Sequence, residues 1–173
     1  MGLMDQLNSV LQQYANIAGS GQAPAQVNQH FDQVAQVAPK NVVAEGLASA
    51  FRSSNTPEFG QMLGSLFSQS NGDQKAGILN QLVTAAGPGM LSQLLGGGGL
   101  ASLLSGGSQL TAAQAQQVSP EMVQQLAAHA EKSDPSIIDR ASSFYAEHPA
   151  LVKTLGGAAL TIAMAKMAEK TKA

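Results

Sequence analysis

The amino-acid sequence predicts an all-α protein, an irregular multi-helix bundle with a short, leucine- and glycine-rich helical hairpin at its centre. Three observations support this fold class. Apolar residues recur at steps of three and four, as they do on one face of an α-helix. A polar residue followed by proline repeatedly opens a new apolar segment, which is typical of a helix start. No stretch shows the alternation of apolar and polar residues that a half-buried strand requires.

Residues 1–86 contain five apolar stripes with helical spacing. The first stripe stops at "GSG" in 19–21 and consists of Leu3, Leu7, Val10, Tyr14 and Ile17, with Met4, Leu11 and Ala18 in a second column beside them. Such stripes indicate helices that bury one face. In the four later helices the apolar residues that we expect to be buried are Val27, Phe31, Val34, Val43, Leu47, Ala50, Phe51, Phe59, Met62, Leu63, Leu66, Phe67, Ile78, Leu79, Leu82, Val83 and Ala86.

Local signals predict where several helices begin. Thr56 is a suitable N-cap for the fourth helix with Pro57 in its first turn, and Asp73 is the expected cap of the fifth. The sequence "TAAQ" at 111–114 has the spacing of a capping box, in which the first and fourth residues satisfy each other's backbone N–H groups. "SPE" at 119–121 combines a serine cap with a proline at the first helical position.

The last apolar segment, "PALVKTLGGAALTIAMAKMAEK" from Pro149, is predicted to form one helix. Its small residues would let another helix approach closely, and we take Gly156 and Leu160 as candidate interaction residues. The alternative is a central core helix around which the others pack. The residues expected along its apolar side are Leu151, Leu155, Ala158, Ile162, Ala165 and Met167.

Residues 87–107, "GPGMLSQLLGGGGLASLLSGG", form what we call the leucine–glycine segment. It lies inside a longer stretch, residues 76–120, that contains no Asp, Glu, Lys or Arg. A flexible linker does not normally carry so many leucines, and each arm of about six residues is too short to cross a bilayer core of about 30 Å. The segment is therefore predicted to form two short helices packed against each other across a glycine turn.

Short helices of this kind are stable only when they pack into something larger. Three partners remain open for the segment: the chain's own core, a second copy at an oligomer interface, and a membrane surface. The candidate interaction residues in it are Leu91, Leu94, Leu95, Leu100, Leu103 and Leu104.

The predicted organisation is an N-terminal helical part in 1–86, the central hairpin in 87–107 and a C-terminal helical part in 108–173, all within one compact domain. Its composition excludes several function classes. A net charge of −2 gives no basis for binding nucleic acid, and the absence of cysteine excludes disulfides and thiolate chemistry.

The histidines give little reason to expect a metal site. None pairs with another at the spacing of three or four residues that suits a metal on one helix face. His129 with Glu131 and Asp134 comes nearest to such a cluster. The run "GGGG" lacks the Lys-Ser/Thr of a phosphate loop, and no G-x-S-x-G motif occurs. We therefore expect no catalytic residue, no cofactor, no metal and no small-molecule substrate; a pocket joining His129 or His148 to two carboxylates would argue for an enzyme instead.

Three stretches together resemble the YidB-like family of small bacterial proteins: "MGLMDQL", "LLGGGGLASLL" and "VSPEMVQQLA". The matching positions are Met1 to Asp5, Leu94 to Leu104 and Val118 to Val123, whereas the helices in 20–86 and the alanine-rich C-terminal helix depart from the family pattern. The resemblance implies an irregular all-α domain in the cytoplasm with no assigned activity. The expected function is association with itself or with a protein partner; the alternative is a peripheral membrane or apolar-ligand binding protein that uses residues 87–107.

Overall fold

A computed structural model describes residues 2–17, 24–87 and 109–171. The leucine–glycine segment, apart from Gly87, lies outside these residues, and so does the predicted central hairpin. Within the described ranges the regular structure is entirely helical, which confirms the all-α prediction. The α-helices are α1 Leu3–Ile17, α2 Val27–Val37, α3 Lys40–Arg52, α4 Phe59–Gln69, α5 Gly72–Ala86, α6 Ala112–Gln116, α7 Pro120–Ser133, α8 Ile137–Ala146, α9 Pro149–Val152 and α10 Gly157–Thr171.

The chain divides into two compact units, one of residues 1–58 with 142–173 and one of residues 59–141. The division falls inside α8. We call them unit 1 and unit 2. The predicted boundaries at 86/87 and 107/108 adjoin residues outside the described ranges, so that division of the chain stays a prediction.

Unit 1 is built around α10, which packs against α1, α2 and α3. Helices α3 and α10 approach closely at Gly46, where a Cβ atom would lie 2.6 Å from the carbonyl oxygen of Ala163. A larger residue at position 46 would therefore separate the two backbones. The fully buried large side chains of the unit include Leu11, Tyr14, Phe31, Leu47, Tyr145, Leu160, Met164 and Met167.

Two ion pairs connect helices at the half-exposed surface of unit 1. Lys153 Nζ lies 2.9 Å from a carboxylate oxygen of Asp32, and Lys170 Nζ lies 2.7 Å from one of Glu45. The hydrogen bond from Lys170 to Glu45 raises the pKa of the lysine. Because both pairs are well exposed, they add little to the free energy of unfolding compared with the apolar core.

Unit 2 consists of α4, α5, α6 and α7 with the first turn of α8. Helix α4 packs against α7, and α5 packs against both α6 and α7. At the α4–α7 crossing, a Cβ on Gly60 would lie 2.7 Å from the carbonyl oxygen of Gln124, so glycine is required there for the helices to touch. The buried apolar residues of the unit include Phe59, Leu63, Leu66, Phe67, Ile78, Leu79, Leu82, Val123, Leu126 and Ile137.

The predicted core residues of α2 to α5 are buried except Val83 and Ala86, which are half-buried, and Met4 of the predicted first stripe is exposed. Two of the predicted helix starts are wrong. Helix α4 begins at Phe59, and the Thr56 hydroxyl instead donates to the carbonyl oxygens of Ala50 and Ser53 at 2.6 and 3.0 Å. Thr56 thus closes the end of α3. Helix α5 is capped by Asn71, two residues before the predicted Asp73. The physical reason is the residue three positions later, because only Asn71 has a glutamine there to complete a capping box.

The predicted continuous C-terminal helix is also wrong. A short 3₁₀ turn over Lys153–Leu155 follows α9, and Gly156 then adopts φ +96 and ψ 168, which ends the first helical piece before α10 begins. The buried side of α10 is formed by Ala159, Leu160, Ala163, Met164, Met167 and Ala168. Of the predicted apolar side, Leu151 and Met167 are therefore buried, but Leu155, Ile162 and Ala165 are only half-buried and Ala158 is exposed. The closeness of Ala163 to α3 agrees with the prediction that small residues permit near approach.

Candidate interaction sites

The side chain of Asn80 binds the backbone of Leu110, shortly after the end of the leucine–glycine segment. Its Oδ1 accepts a 2.7 Å hydrogen bond from the backbone N–H of Leu110, and its Nδ2 donates to the carbonyl oxygen of Leu110 at 3.4 Å. Leu110 itself is 4% exposed. An amide that donates and accepts on one residue fixes both its position and its direction. We call this pair of hydrogen bonds the Asn80–Leu110 clamp.

Capped helices hold both halves of the clamp in place. Helix α5, which carries Asn80, begins with a complete capping box between Asn71 and Gln74. Immediately after Leu110, Thr111 and Gln114 form a second capping box: Thr111 N–H donates to Gln114 Oε1 at 2.9 Å, and Gln114 N–H donates to Thr111 Oγ1 at 3.3 Å. The box predicted from "TAAQ" is therefore confirmed, and so is the Ser119 cap of α7 with its proline.

The sequence-predicted interaction residues are not brought together among the described residues. Leu91, Leu94, Leu95, Leu100, Leu103 and Leu104 lie outside the described ranges. Gly156 is exposed in the turn before α10, and beyond its two neighbours in the chain no atom lies within 4 Å of where its Cβ would stand. Leu160 is a fully buried core residue of unit 1 and offers no accessible surface.

Helices α1 and α2 of unit 1 enclose a groove that sequence reasoning did not find. Its volume is about 310 Å³. Leu7 and Val34 are buried in its floor, and Val10 and Val37 are half-exposed on its walls. Three exposed glutamines form its rim: Gln6, Gln33 and Gln36. We call this the α1–α2 groove. Val10 was predicted as part of the apolar stripe, but nothing in the sequence indicated that it would stay partly open.

Tyr14 and His30 connect α1 to α2 beyond the groove. The Tyr14 hydroxyl oxygen lies 2.6 Å from His30 Nδ1, and the rings meet edge to face with centroids 5.6 Å apart. Burial of the phenol raises the pKa of Tyr14. In α1, Tyr14 follows Leu7 and Val10 in the sequence, whereas in α2, His30 precedes Val34 and Val37. Because Tyr14 contacts His30, the two helices run antiparallel. They are therefore joined at the Tyr14–His30 end.

The charged residues near the end of α7 form a structural turn. Ser136 Oγ donates to Asp134 Oδ1 at 2.6 Å, and Arg140 pairs with the other carboxylate oxygen. The hydrogen bond from Ser136, with Arg140 adding its charge, lowers the pKa of Asp134. His129 and Glu131 do not complete a metal site with Asp134: residues 2–17, 24–87 and 109–171 contain no group of three or more His, Asp or Glu side chains that could hold a metal ion.

None of the described helices has the length and apolarity needed to cross a membrane. No protein-family model, no curated protein and no solved structure matches this chain.

Proposed function

We propose that this chain is a non-enzymatic protein that acts by associating with a second copy of itself through the leucine–glycine segment. The observation that carries the proposal is the Asn80–Leu110 clamp. The chain leaves α5 after Ala86 and is bound again at Asn80, on the same helix. Six residues of helix correspond to an axial distance of only about 9 Å. Residues 88–108 are far more than such a gap requires.

Both ends of the segment belong to unit 2, so it does not connect the two units. A linker between two units does not require leucines, and neither does a loop that starts and ends at one helix. Burying a leucine side chain contributes about 1.5–3 kcal/mol, so a cluster of them favours association with another apolar surface. This is the physical reason for placing the function in the segment.

The surroundings of the clamp also support association between identical copies. Residues 76–120 carry no charged side chain, and the exposed Thr84, Gln109 and Thr111, which are near the segment in sequence, are polar but neutral. Residues 76–120 of two copies therefore bring no like charges together. Neutral amides and hydroxyls also cost less to remove from water than ionised groups do.

The remaining parts of the proposal come from the sequence. The resemblance to the YidB-like family supports an all-α protein of the bacterial cytoplasm without a catalytic site, and a cysteine-free composition suits a reducing compartment. We include both in the proposal.

Light scattering after size-exclusion chromatography tests it, with the full chain at tens of micromolar. We expect a dimer or a larger assembly for the native sequence and a monomer for Leu95→Asp, because a carboxylate in an apolar interface lacks a partner. Gln125→Asp is the matched control: Gln125 is exposed on α7 in the same unit, and its variant should associate like the native chain. A native chain that is monomeric at this concentration contradicts the proposal.

Two further measurements separate the alternatives. If the native chain is monomeric and Leu95→Asp lowers the thermal unfolding midpoint sharply, the segment belongs to the chain's own core. Flotation with neutral phosphatidylcholine vesicles and with anionic phosphatidylglycerol vesicles tests the membrane alternative. Self-association predicts that the protein stays out of both lipid fractions, whereas flotation that Leu95→Asp abolishes would favour a membrane surface.

A further inference from the structure

The lining of the α1–α2 groove determines the chemistry of what it can hold. Among the residues that the structure describes, none that lines it is charged. An ionic ligand would lose its hydration there without gaining a counter-charge, which is unfavourable. The four aliphatic side chains on the floor and walls instead favour an apolar group of moderate size. A volume of about 310 Å³ lies at the lower end of the range for binding pockets, about 300–1,000 Å³.

The glutamine rim adds a second requirement. Each glutamine amide carries two N–H donors and a carbonyl acceptor, so Gln6, Gln33 and Gln36 together can pair with both polar groups of a peptide backbone. A backbone is accessible for such pairing only where side chains do not cover it. The groove therefore suits a neutral peptide that combines uncovered backbone with aliphatic side chains.

The chain contains one stretch with this composition. In "LLGGGGLASLL" four glycines leave the backbone uncovered, and leucines on both sides supply aliphatic groups without any charge. Residues 88–108 follow α5 and precede the Asn80–Leu110 clamp, and they are far more than the chain needs to join these two points. A second copy presents this stretch at the same concentration as the groove.

We infer that the α1–α2 groove of one copy receives the leucine–glycine segment of a second copy. This inference rests on the proposed self-association and identifies the surface that the segment binds. Two copies that each insert their segment into the other's groove form a closed dimer. If insertion occurs in one direction only, one groove and one segment stay free, and further copies can add to form an open-ended assembly.

Cross-linking between single-cysteine variants tests the contact, because the native chain has no cysteine. Gln36→Cys places a thiol on the groove rim and Ser92→Cys places one in the segment. We mix the two full-length variants, one of them tagged, and treat them with a short bis-maleimide. A hetero-cross-linked dimer is expected. Gln12→Cys mixed with Ser92→Cys is the control, because Gln12 is also exposed on α1 but does not line the groove.

A blocking variant supplies an independent readout. Val37 is half-exposed on the groove wall, so Val37→Glu should leave the fold intact while placing an unpaired carboxylate in the groove. We expect the Kd of self-association to rise by about tenfold or more, and Gln12→Glu to leave it unchanged.

The outcomes separate this inference from the proposed function. If the native chain associates and Leu95→Asp abolishes the assembly, but Val37→Glu does not weaken it and Gln36→Cys does not cross-link to Ser92→Cys, the groove inference is wrong and self-association stands. A double variant that carries both Gln36→Cys and Ser92→Cys gives one more outcome. If the cross-link forms only within that single chain and not between the mixed single-cysteine variants, the inference is also wrong. A monomeric native chain removes the proposed function itself.

Discussion

The side-chain amide of Asn80 binds the backbone of Leu110 by two hydrogen bonds, one to its N–H at 2.7 Å and one to its carbonyl at 3.4 Å. The two residues lie 30 positions apart, with the leucine–glycine segment between them. The clamp thereby brings both ends of the segment to one helix. This contact distinguishes the segment from a linker, because both of its ends are held at the same helix.

Asn80→Ala is expected to reduce the free energy of unfolding by about 1–3 kcal/mol, because the buried N–H of Leu110 loses its acceptor. Urea unfolding followed by circular dichroism measures the change. Amide exchange at Leu110 should also become faster, since its N–H is then unprotected. Gln125→Ala removes an amide of similar size from an exposed position on α7 and should have little effect. Equal unfolding midpoints for the two variants would show that the clamp contributes nothing.

Gly156→Ala is expected to destabilise the protein by about 1–3 kcal/mol. The backbone at Gly156, with φ +96 and ψ 168, lies in a region that residues with a Cβ rarely adopt, although the space around it is open. The cost is therefore backbone strain and not a steric clash. Gly2→Ala serves as the control, because Gly2 is exposed and its added Cβ would meet only ordinary van der Waals contact at 3.9 Å. A thermal midpoint for Gly156→Ala as high as that of the control would contradict the assigned conformation.

Gly60→Ala should cost more stability than Gly64→Ala, although both glycines lie on α4 where it crosses α7. A Cβ at position 60 would lie 2.7 Å from the backbone carbonyl oxygen of Gln124, which cannot move without separating the helices. At position 64 the two nearest atoms, at 2.7 and 2.9 Å, belong to the flexible Gln124 side chain, and the nearest backbone atom, the carbonyl oxygen of Pro120, is farther away at 3.1 Å. Overpacking of a helix contact typically costs about 1–3 kcal/mol. Urea midpoints in the reverse order would mean that α7 is placed incorrectly against α4.

Tyr14→Phe is expected to change the pH dependence of stability in the alkaline range. Burial raises the pKa of Tyr14 in the folded protein above the value of about 10 that it has in the unfolded chain. The stability contributed by the neutral phenol is therefore fully present below about pH 10 and is lost as the pH rises toward the folded-state pKa.

The phenylalanine variant lacks this titration, so its unfolding free energy should fall less steeply than that of the native chain above about pH 10. Near neutral pH it should be less stable by about 1 kcal/mol, because the hydrogen bond to His30 is lost. Urea unfolding at several pH values measures both effects. Parallel pH profiles for the two proteins would show that Tyr14 titrates at its ordinary pKa in the folded state.

Local signals in the sequence were sufficient for much of the helical structure. The Ser119 cap before Pro120 and the box between Thr111 and Gln114 involve residues at most three positions apart, so neighbouring residues alone determine them. The apolar stripes of α2 to α5 likewise require only helical periodicity. Such features follow from the residues themselves, without knowledge of the tertiary contacts.

The features that the sequence did not reveal depend on contacts between distant residues. Thr56 could cap the helix after it or close the helix before it, and only the position of the Ala50 carbonyl decides between the two. The α1–α2 groove exists because Val10 and Val37 are not covered by the same neighbours that bury Leu7 and Val34. Periodicity identifies an apolar face, but it does not tell how completely another helix covers that face.

The division of the chain has a consequence for the order of events on the ribosome. Unit 2 is one uninterrupted stretch, so all of its helices have been synthesised by the time Ala141 is added. Helices α1 to α3 are translated earlier, but α10, against which all three pack, is translated last of the described helices. During elongation those three amphipathic helices lack their main partner, and this interval is when a nascent chain is most exposed to chaperones and to aggregation.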